Sequence, residues 1–283
     1  MEEIILDAYG KINLALDVLY KRNDGYHEID SVMQQIDLKD TLILKKRDNG
    51  ISIESNEKSI PLDERNLAYK AWRKLTDKAK INKGVDITII KRIPVAAGLA
   101  GGSTDAAAVL KGLNILWGLN LSQEELMEIG REIGADVPFC IFGGTARAKG
   151  IGERLERIKG FSNKLILLVN IGVEVPTEYV YKSLGLNNKN MAVNVEELVK
   201  YIERDNLRKV AENMGNVLES VVIRDYPIID EIKKEMVESG ALGALMSGSG
   251  PTVFGIFDDE SKLYSCKEKM EAKYKKVIVT KTI

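Results

Sequence analysis

The stretch Pro94–Leu110, PVAAGLAGGSTDAAAVL, decides how the rest of this sequence is interpreted. It follows a β-like segment, Val85–Ile93, and leads into an alanine-rich helix whose apolar residues recur at helical spacing until Gly118. Glycines let the backbone turn tightly and approach a ligand, while Ser103 or Thr104 is expected to cap the helix. Backbone amides that converge on a helix N-terminus form a site suited to an anion such as phosphate.

The loop alone leaves two interpretations open. It contains neither the G-x-x-x-x-G-K-[ST] motif nor the G-x-G-x-x-G motif, so it is neither a P-loop nor a dinucleotide fingerprint. A phosphate site and a plain strand-to-helix turn with a serine cap are about equally supported at this point.

Composition indicates an ordinary globular protein. The chain has 283 residues, of which 45% are hydrophobic and 29% charged, and this length favours two domains. The net charge of −1 argues against a nucleic-acid partner, because such proteins usually carry a basic excess. The lysines between Lys262 and Lys281 alternate with acidic residues and are interpreted as a solvated helix face.

The N-terminus and the rare residue types argue against secreted, membrane and zinc-binding proteins. The opening MEEIILDAYGK lacks the features of a signal peptide, and no apolar run is long enough to cross a membrane. We therefore expect a cytoplasmic protein without a membrane partner. Cys140 and Cys266 form no close motif, and His27 is the only histidine, so a zinc site is not expected.

Strands and helices follow one another without regular βαβ repetition, which favours the α+β class. Helix starts are predicted at Asn66, at Ser122 with Glu125 as a capping box, and at Asn194. A domain boundary is expected between residues 150 and 163. The strands predicted in the first sixty residues are Ile4–Tyr9, Ile12–Leu19, Ile29–Leu38, Thr41–Lys46 and Ile51–Glu54, and the later helices include residues 206–220.

Three further segments could carry chemistry. Lys11 and Asn13 interrupt an apolar strand in AYGKIN, although a lysine there is usually only solvated. Asp136 in GADVP precedes a proline, as an N-cap does, but a carboxylate between turns could also act as a general base. The turn SGSGP at 247–251 could be purely conformational.

Taken together with the loop, these segments resemble the GHMP kinase superfamily of small-molecule kinases. The resemblance spans essentially the whole chain, and the segment Asp24–His27 resembles the branch whose acceptor carries a cytidine diphosphate group. One mild departure is Ala96-Ala97, where many relatives have further glycines. The stretches that carry the resemblance are AYGKINLALDVLYKRNDGYHEIDSVMQ, RNLAYKA, IPVAAGLAGGSTDAAAVLKGLN, GADVPFC and SGSGPTVFGIF.

The resemblance implies a fold. It is an α+β fold of two domains, with a ribosomal-protein-S5-domain-2-like domain at residues 1–158 and a ferredoxin-like domain at residues 159–283. The active site would lie in the cleft between them.

The resemblance also implies an activity. It is the ATP-dependent phosphorylation of the 2-hydroxyl of 4-diphosphocytidyl-2-C-methyl-D-erythritol, in the non-mevalonate route to isoprenoid precursors, with Mg²⁺ accompanying ATP. The alternatives are a GHMP kinase for homoserine, mevalonate or a sugar, and a module that holds a nucleotide without turning it over. The candidates for a magnesium ligand are Ser103, Thr104 and Asp105, all three of which stay open. The sequence predicts no oligomeric state.

Residue roles follow from the resemblance, position by position. Asp136 would be the catalytic base, with Lys11 close to it and to the transferring phosphoryl group, and Asn13 would orient the acceptor. Tyr26 and Tyr181 would enclose the cytosine ring while His27 hydrogen-bonds its edge, with Tyr179 as the alternative to Tyr181. The triphosphate would contact Pro94, Val95, Ala96, Ala97, Gly98, Leu99, Ala100, Gly101, Gly102, Ser103 and Thr104, and the adenine would lie near Asn66, Leu67 and Lys91.

Overall fold

The computed structural model describes residues 1–185 and 193–283, which form two compact units. Each unit is assembled from separated stretches of chain. The first contains Met1–Gly10, Leu38–Val95 and Ala100–Gly143, and the second contains Lys11–Asp37, Ala96–Leu99 and the described part of Gly144–Ile283. Both units combine strands with helices, so the predicted α+β class is confirmed. The boundary between residues 158 and 159 stays a prediction.

Two long strands contribute to both units. Strand β1 covers Glu3–Lys21 and β2 covers His27–Arg47, where the sequence predicts four shorter strands. That prediction is wrong because the polar residues at the supposed breaks are buried within the strands. Lys11 is 4% exposed and Asp40 is fully buried. Both side chains find partners in the interior, so neither marks a solvated turn.

The first unit places helices beside a sheet. Strand β4 (Gly84–Ile90) pairs antiparallel with β2 and parallel with β3 (Ile51–Ser55), and three residues separate its last residue from Pro94, where the glycine loop begins. The core is rich in alanine, leucine and isoleucine, with Trp72 and Trp117 at its edges. The remaining elements are α1 (Leu67–Ala79), α2 (Gly101–Trp117), α3 (Gln123–Arg131) and α4 (Val137–Phe142).

Local capping signals predict three helix starts correctly, and at the start of the helix Val195–Glu203 the side chain of Asn194 accepts from the amide of Glu197 at 3.1 Å. The side chain of Asn66 accepts from the amide of Ala68 at 2.9 Å, and Ser122 and Glu125 form both bonds of the capping box. The predicted cap of α2 is wrong. That helix begins at Gly101, and Ala100 at its N-cap has a φ of 59°. Ser103 and Thr104 therefore lie in the first turn.

The second unit contains two sets of paired strands. Strand β5 (Thr145–Gly150) pairs with β2 and with β6 (Arg154–Arg157). An antiparallel sheet is formed, in this order, by β11 (Lys276–Lys281), β7 (Leu165–Asn170), β10 (Thr252–Phe257) and β9 (Gly243–Met246). Phe161, Phe254 and Phe257 are fully buried. Its elements are β5 (Thr145–Gly150), β6 (Arg154–Arg157), β7 (Leu165–Asn170), α5 (Thr177–Ser183), α6 (Val195–Glu203), α7 (Leu207–Asn213), β8 (Gly215–Asn216), α8 (Glu219–Asp225), α9 (Ile228–Glu238), β9 (Gly243–Met246), β10 (Thr252–Phe257), α10 (Glu260–Glu271) and β11 (Lys276–Lys281).

The helix predicted over residues 206–220 is interrupted. Gly215 and Asn216 form β8, which pairs in parallel with Ala15 and Leu16 of β1. Asn216 uses its side chain to bind backbone groups, which competes with helix formation. Among the described residues, none of the helices combines the length and apolar character needed to cross a membrane.

Candidate active site

The start of α2, in the first unit, is where the sequence predicts a phosphate site. The first amides of a helix have no intrahelical acceptor and carry partial positive charge. Here the first three helical residues are Gly101, Gly102 and Ser103, and Gly102 is exposed. The hydroxyl of Thr104 instead points inward and donates to the carbonyl of Tyr9 at 2.8 Å. The geometry fits the predicted phosphate contacts at the helix start.

A buried ionic cluster lies beside this helix start. The ammonium of Lys91 donates to Asp40 Oδ2 at 2.5 Å and to Asp105 Oδ2 at 2.8 Å. Asp40 Oδ1 accepts from the amides of Arg92 and Ile93, which lead into the loop. Lys91, which the sequence predicts to lie near the adenine, therefore has its ammonium bound by two carboxylates.

Burial sets the protonation of this cluster. It raises the pKa of Asp105 to about 7, with the carboxylate of Asp40 adding to the rise and Lys91 opposing it. For Lys91 burial acts in the opposite direction, but the two carboxylates outweigh it and raise the pKa of its ammonium. Lys91 is therefore charged at neutral pH.

Asp136 occupies the N-cap position of α4, as the sequence predicts, but does not act as a cap. Its side chain makes no capping hydrogen bond with the described residues. A Cβ added at Gly134, two residues earlier, would lie 4.0 Å from the hydroxyl of Ser103. The first unit thus brings the start of α2 close to the segment that carries the predicted base.

In the second unit Lys11 and Asn13 belong to one chain of buried hydrogen bonds. Lys11 Nζ donates to Asn13 Oδ1 at 2.8 Å, Asn13 Nδ2 donates to Ser31 Oγ at 2.9 Å, and Ser31 donates to the carbonyl of Ala15 at 2.6 Å. The amide of Lys11 also donates to the carbonyl of Leu99 in the glycine loop. The two residues singled out in the sequence are therefore held in fixed orientation beside that loop.

The SGSGP turn lies against the same loop. Ser247 donates its hydroxyl to the carbonyl of Gly98 at 2.9 Å. A Cβ at Gly98 would stand 2.2 Å from the carbonyl oxygen of Ser247, and Gly98 has a φ of +72°. Only glycine meets both conditions without strain. Two glycine-rich motifs that are weak signals separately are thus in direct contact.

An aromatic cluster forms at the start of β2. The rings of His27 and Tyr181 have centroids 5.3 Å apart, and Tyr26 is 60% exposed. Tyr179 donates its hydroxyl to Asp225 at 2.8 Å. Burial, assisted by Lys21, lowers the pKa of His27, so the imidazole is predominantly neutral at pH 7. The cluster offers flat apolar faces and a neutral hydrogen-bonding edge.

Comparison with known proteins assigns the family. The model of the GHMP kinases N terminal domain matches residues 66–144, and that of the GHMP kinases C terminal domain matches residues 198–276. The 4-diphosphocytidyl-2-C-methyl-D-erythritol kinase of Clostridium novyi is 50% identical over 276 residues, which is 98% of this chain and 99% of the relative. The chain belongs to the GHMP kinase family. The same-named protein of Acetivibrio thermocellus is 49% identical over the full length of both chains.

Solved structures of GHMP kinases agree with this assignment. A crystal structure of 4-(cytidine 5'-diphospho)-2C-methyl-D-erythritol kinase matches with a TM-score of 0.84 and 31% identity, and covers 99% of both chains. Homoserine kinase from Cytophaga hutchinsonii matches with a TM-score of 0.81 over 100% of this chain and 95% of its own, but at 20% identity it shows only the shared fold. The predicted family and its two-domain α+β fold are confirmed.

Sequence reasoning missed three groups that hold the GHMP kinase motifs in place. Ser31 orients Asn13, the carboxylates of Asp40 and Asp105 bind Lys91, and Asn216 binds the SGSGP turn. The only sequence signal for Asn216 was its position directly after Gly215 in an otherwise helical pattern. Within residues 1–185 and 193–283, acidic, histidine and cysteine side chains do not gather into a group of three that could hold a metal ion.

Proposed function

We propose that this GHMP kinase transfers the γ-phosphoryl group of ATP to the 2-hydroxyl of 4-diphosphocytidyl-2-C-methyl-D-erythritol, giving the 2-phosphate and ADP. The reaction belongs to the non-mevalonate route to isoprenoid precursors. The observation that carries this choice of acceptor is the pairing of His27 with Tyr181 beside the exposed Tyr26. Relatives about 50% identical over nearly the whole chain carry the corresponding name.

ATP would lie with its phosphates at the loop Pro94–Thr104 and its adenine near Asn66, Leu67 and Lys91. Leu67 supports this placement, because a Cβ on Gly102 would lie 3.5 Å from its side chain. Asn66 is held by its own contacts to Ala68 and to the carbonyl of Pro61. Its contribution to adenine binding would then come from shape and backbone.

Catalysis of phosphoryl transfer depends mainly on positioning the reactants and stabilising the charge of the transition state. The transition state is loose, with negative charge spread over the equatorial oxygens of the γ-phosphoryl group. The first amides of α2 and its helix dipole carry positive potential, and in the proposed complex the ammonium of Lys11 would add a full charge. Lys11 is kept in one orientation by Asn13, so little reorganisation is needed during reaction.

Mg²⁺ is proposed as the companion of ATP, and Ser103 is the residue at the start of α2 that fits it. Thr104 is buried and its hydroxyl is bound to Tyr9, while Asp105 is buried and its carboxylate is bound to Lys91. Ser103 is partly exposed. A magnesium ion usually takes one or two protein oxygens together with substrate phosphates, and it would supply positive charge between the β- and γ-phosphates.

Asp136 is proposed as the general base. The acceptor oxygen attacks the γ-phosphorus, the bond from that phosphorus to the bridging β-γ oxygen breaks, and ADP leaves. The proton of the acceptor hydroxyl passes to the carboxylate of Asp136. The position of Asp136 at the start of α4, in the segment that lies close to the hydroxyl of Ser103, fits this role.

The cytidine end of the acceptor would bind at the aromatic cluster. Tyr26 and Tyr181 would stack on the pyrimidine, since ring stacking contributes about 1–3 kcal/mol per base. His27 would hydrogen-bond the edge of the base without a change of protonation. Tyr181 is preferred to Tyr179, because the hydroxyl of Tyr179 is bound to Asp225. Asn13 would orient the methylerythritol end.

The decisive experiment measures ADP formation with three separate acceptors, together with identification of the phosphorylated product. We expect turnover with 4-diphosphocytidyl-2-C-methyl-D-erythritol and not with homoserine or mevalonate. Turnover with one of the other acceptors would instead identify another GHMP kinase. ATP binding without turnover on any acceptor would favour a nucleotide-binding module. The predicted cytoplasmic location and lack of a nucleic-acid partner stay predictions.

A further inference from the structure

Asn216 makes three buried hydrogen bonds that no motif explains. Asn216 is only 6% exposed, and its Nδ2 donates to the carbonyls of Met246 and Gly248, both at 2.8 Å. Oδ1 accepts from the amide of Leu218 at 3.0 Å. One amide group therefore binds the last residue of β9 and the second residue of the SGSGP turn at once.

Glu219 supports the same place from three residues further along. Its Oε1 accepts from the amide of Met246 at 2.8 Å, and its Oε2 pairs with Lys233 at 2.5 Å. Asn216 thus binds the carbonyl of Met246 while Glu219 binds its amide. Together the two side chains fix the backbone at the point where β9 ends and the turn begins.

The SGSGP turn holds the middle of the glycine loop in place. Ser247, between the two carbonyls bound by Asn216, donates its hydroxyl to the carbonyl of Gly98. A Cβ on Gly248 would stand 3.2 Å from that same carbonyl oxygen and 3.6 Å from Asn13 Oδ1. A shift of the turn would therefore move Gly98 or weaken the hydroxyl contact.

We propose that Asn216 is a positioning residue for ATP, which holds the Ser247–Gly248 turn so that the turn fixes the Gly98 segment of the phosphate loop. Asn216 acts through the turn and does not itself touch the nucleotide. The proposal rests on the proposed function only in taking ATP as the ligand of the loop. It predicts that loss of the amide weakens ATP binding more than acceptor binding, because Asn216 bonds directly to Gly248, whereas α5, the helix that carries Tyr181, is bonded to a different residue of the turn, Ser249, through Thr177.

The test compares Asn216→Ser with a matched variant, Asn114→Ser. Asn114 makes the same kind of clamp, donating to the carbonyl of Leu121 and accepting from its amide, but at the far end of α2 from the loop. Both substitutions remove an amide that binds backbone, so both are expected to lower the melting temperature. Calorimetry with ADP and with a non-hydrolysable ATP analogue, and titration with the cytidine acceptor, give separate affinities for each protein.

We expect Asn216→Ser to weaken nucleotide binding by about tenfold, while affinity for the acceptor stays within about twofold and Asn114→Ser leaves both affinities unchanged. Ser247→Ala should weaken nucleotide binding in the same way. The double variant should be no weaker than the worse single one, because both residues act through one contact.

Equal loss of both affinities in Asn216→Ser, or the same loss in Asn114→Ser, would assign Asn216 a general structural role and overturn the proposal. Unchanged nucleotide affinity would also overturn it. A wild-type protein that binds nucleotide but does not phosphorylate the cytidine acceptor would reject the proposed function instead. The measured effect of Asn216→Ser on nucleotide binding would still decide this inference.

Discussion

Lys91 Nζ lies 2.8 Å from Asp105 Oδ2, and the other oxygen of Asp105 is buried without a hydrogen-bond partner among the described residues. One ammonium thus serves two carboxylates, since Asp40 binds it as well. The cluster has excess negative charge when both carboxylates are ionised. Burial raises the pKa of Asp105 to about 7; the charge of Lys91 opposes this rise and the charge of Asp40 adds to it.

The raised pKa predicts a stability that falls with pH. In the unfolded chain Asp105 ionises near its ordinary pKa of 3.8, whereas in the folded protein it holds its proton up to about 7. Its contribution to the free energy of unfolding is therefore full below about pH 4 and is lost as the pH rises to about 7. Asp105→Asn removes this dependence.

Urea unfolding at pH 5 and pH 8 tests this prediction. From pH 5 to pH 8, the free energy of unfolding of Asp105→Asn should rise relative to that of wild type. The rise should be at least about 1 kcal/mol, the scale of one pKa unit. Asp77→Asn is the control, because Asp77 is exposed and, among the described residues, its carboxylate pairs with Arg73 on its own helix. A constant difference between wild type and Asp105→Asn would mean that Asp105 does not titrate in this range.

Asp136→Asn should abolish most activity while leaving the fold and nucleotide binding intact. The amide cannot accept the hydroxyl proton, and a general base is typically worth about 10² to 10⁴ in rate. Asparagine keeps the size of the side chain and changes only its charge and one terminal atom, so the fold is expected to be retained. Steady-state kcat, ADP affinity and melting temperature are measured together. A loss in kcat below about tenfold would restrict Asp136 to a structural role at the start of α4.

Tyr181→Ala and Tyr26→Ala should weaken acceptor binding far more than ATP binding. Loss of one stacking ring costs about 1–3 kcal/mol, which corresponds to a KM for the acceptor raised about 5- to 150-fold. Tyr179→Ala is the matched control, because it removes the alternative ring, whose hydroxyl is bound to Asp225. If Tyr179→Ala raised this KM as much as Tyr181→Ala is expected to, and Tyr181→Ala did not, the assignment of the second ring would be reversed. Equal losses for ATP and acceptor would mean that the rings pack structurally.

Local signals in the sequence were sufficient where both partners lie within a few residues. Asn66 binds the amide two positions later, and Ser122 and Glu125 bind each other across three positions. Such pairs form whenever the helix forms, so residue type and spacing predict them. Helix starts of this kind and the class of the fold were therefore predictable.

Contacts between distant residues were not predictable in this way. Lys91 meets Asp40 across 51 positions, and Asn216 meets Gly248 across 32. Nothing near Lys91 in the sequence indicates that its charge is used internally, and a buried polar residue such as Asp40 looks like a turn signal until its partner is known. The resemblance to GHMP kinases supplied the motifs, while the structure supplied the groups that hold them.

Gly98→Ala separates the close approach of the loop and the turn from the ordinary cost of a left-handed residue. Gly98 and Gly118 both have positive φ, +72° and +64°. At Gly118 no described atom lies within 4 Å of an added Cβ, so Gly118→Ala should cost only about 1–2 kcal/mol of stability and leave ATP affinity unchanged.

At Gly98 the added Cβ would stand 2.2 Å from the carbonyl oxygen of Ser247, a backbone atom that cannot rotate away. The turn or the loop must therefore move, and the bond from Ser247 to Gly98 is lost. Gly98→Ala should be less stable than Gly118→Ala and bind ADP at least about tenfold more weakly, as measured by urea unfolding and calorimetry. Equal stability and equal ADP affinity in the two variants would show that the loop tolerates the extra atom, and that Ser247 does not set the position of Gly98.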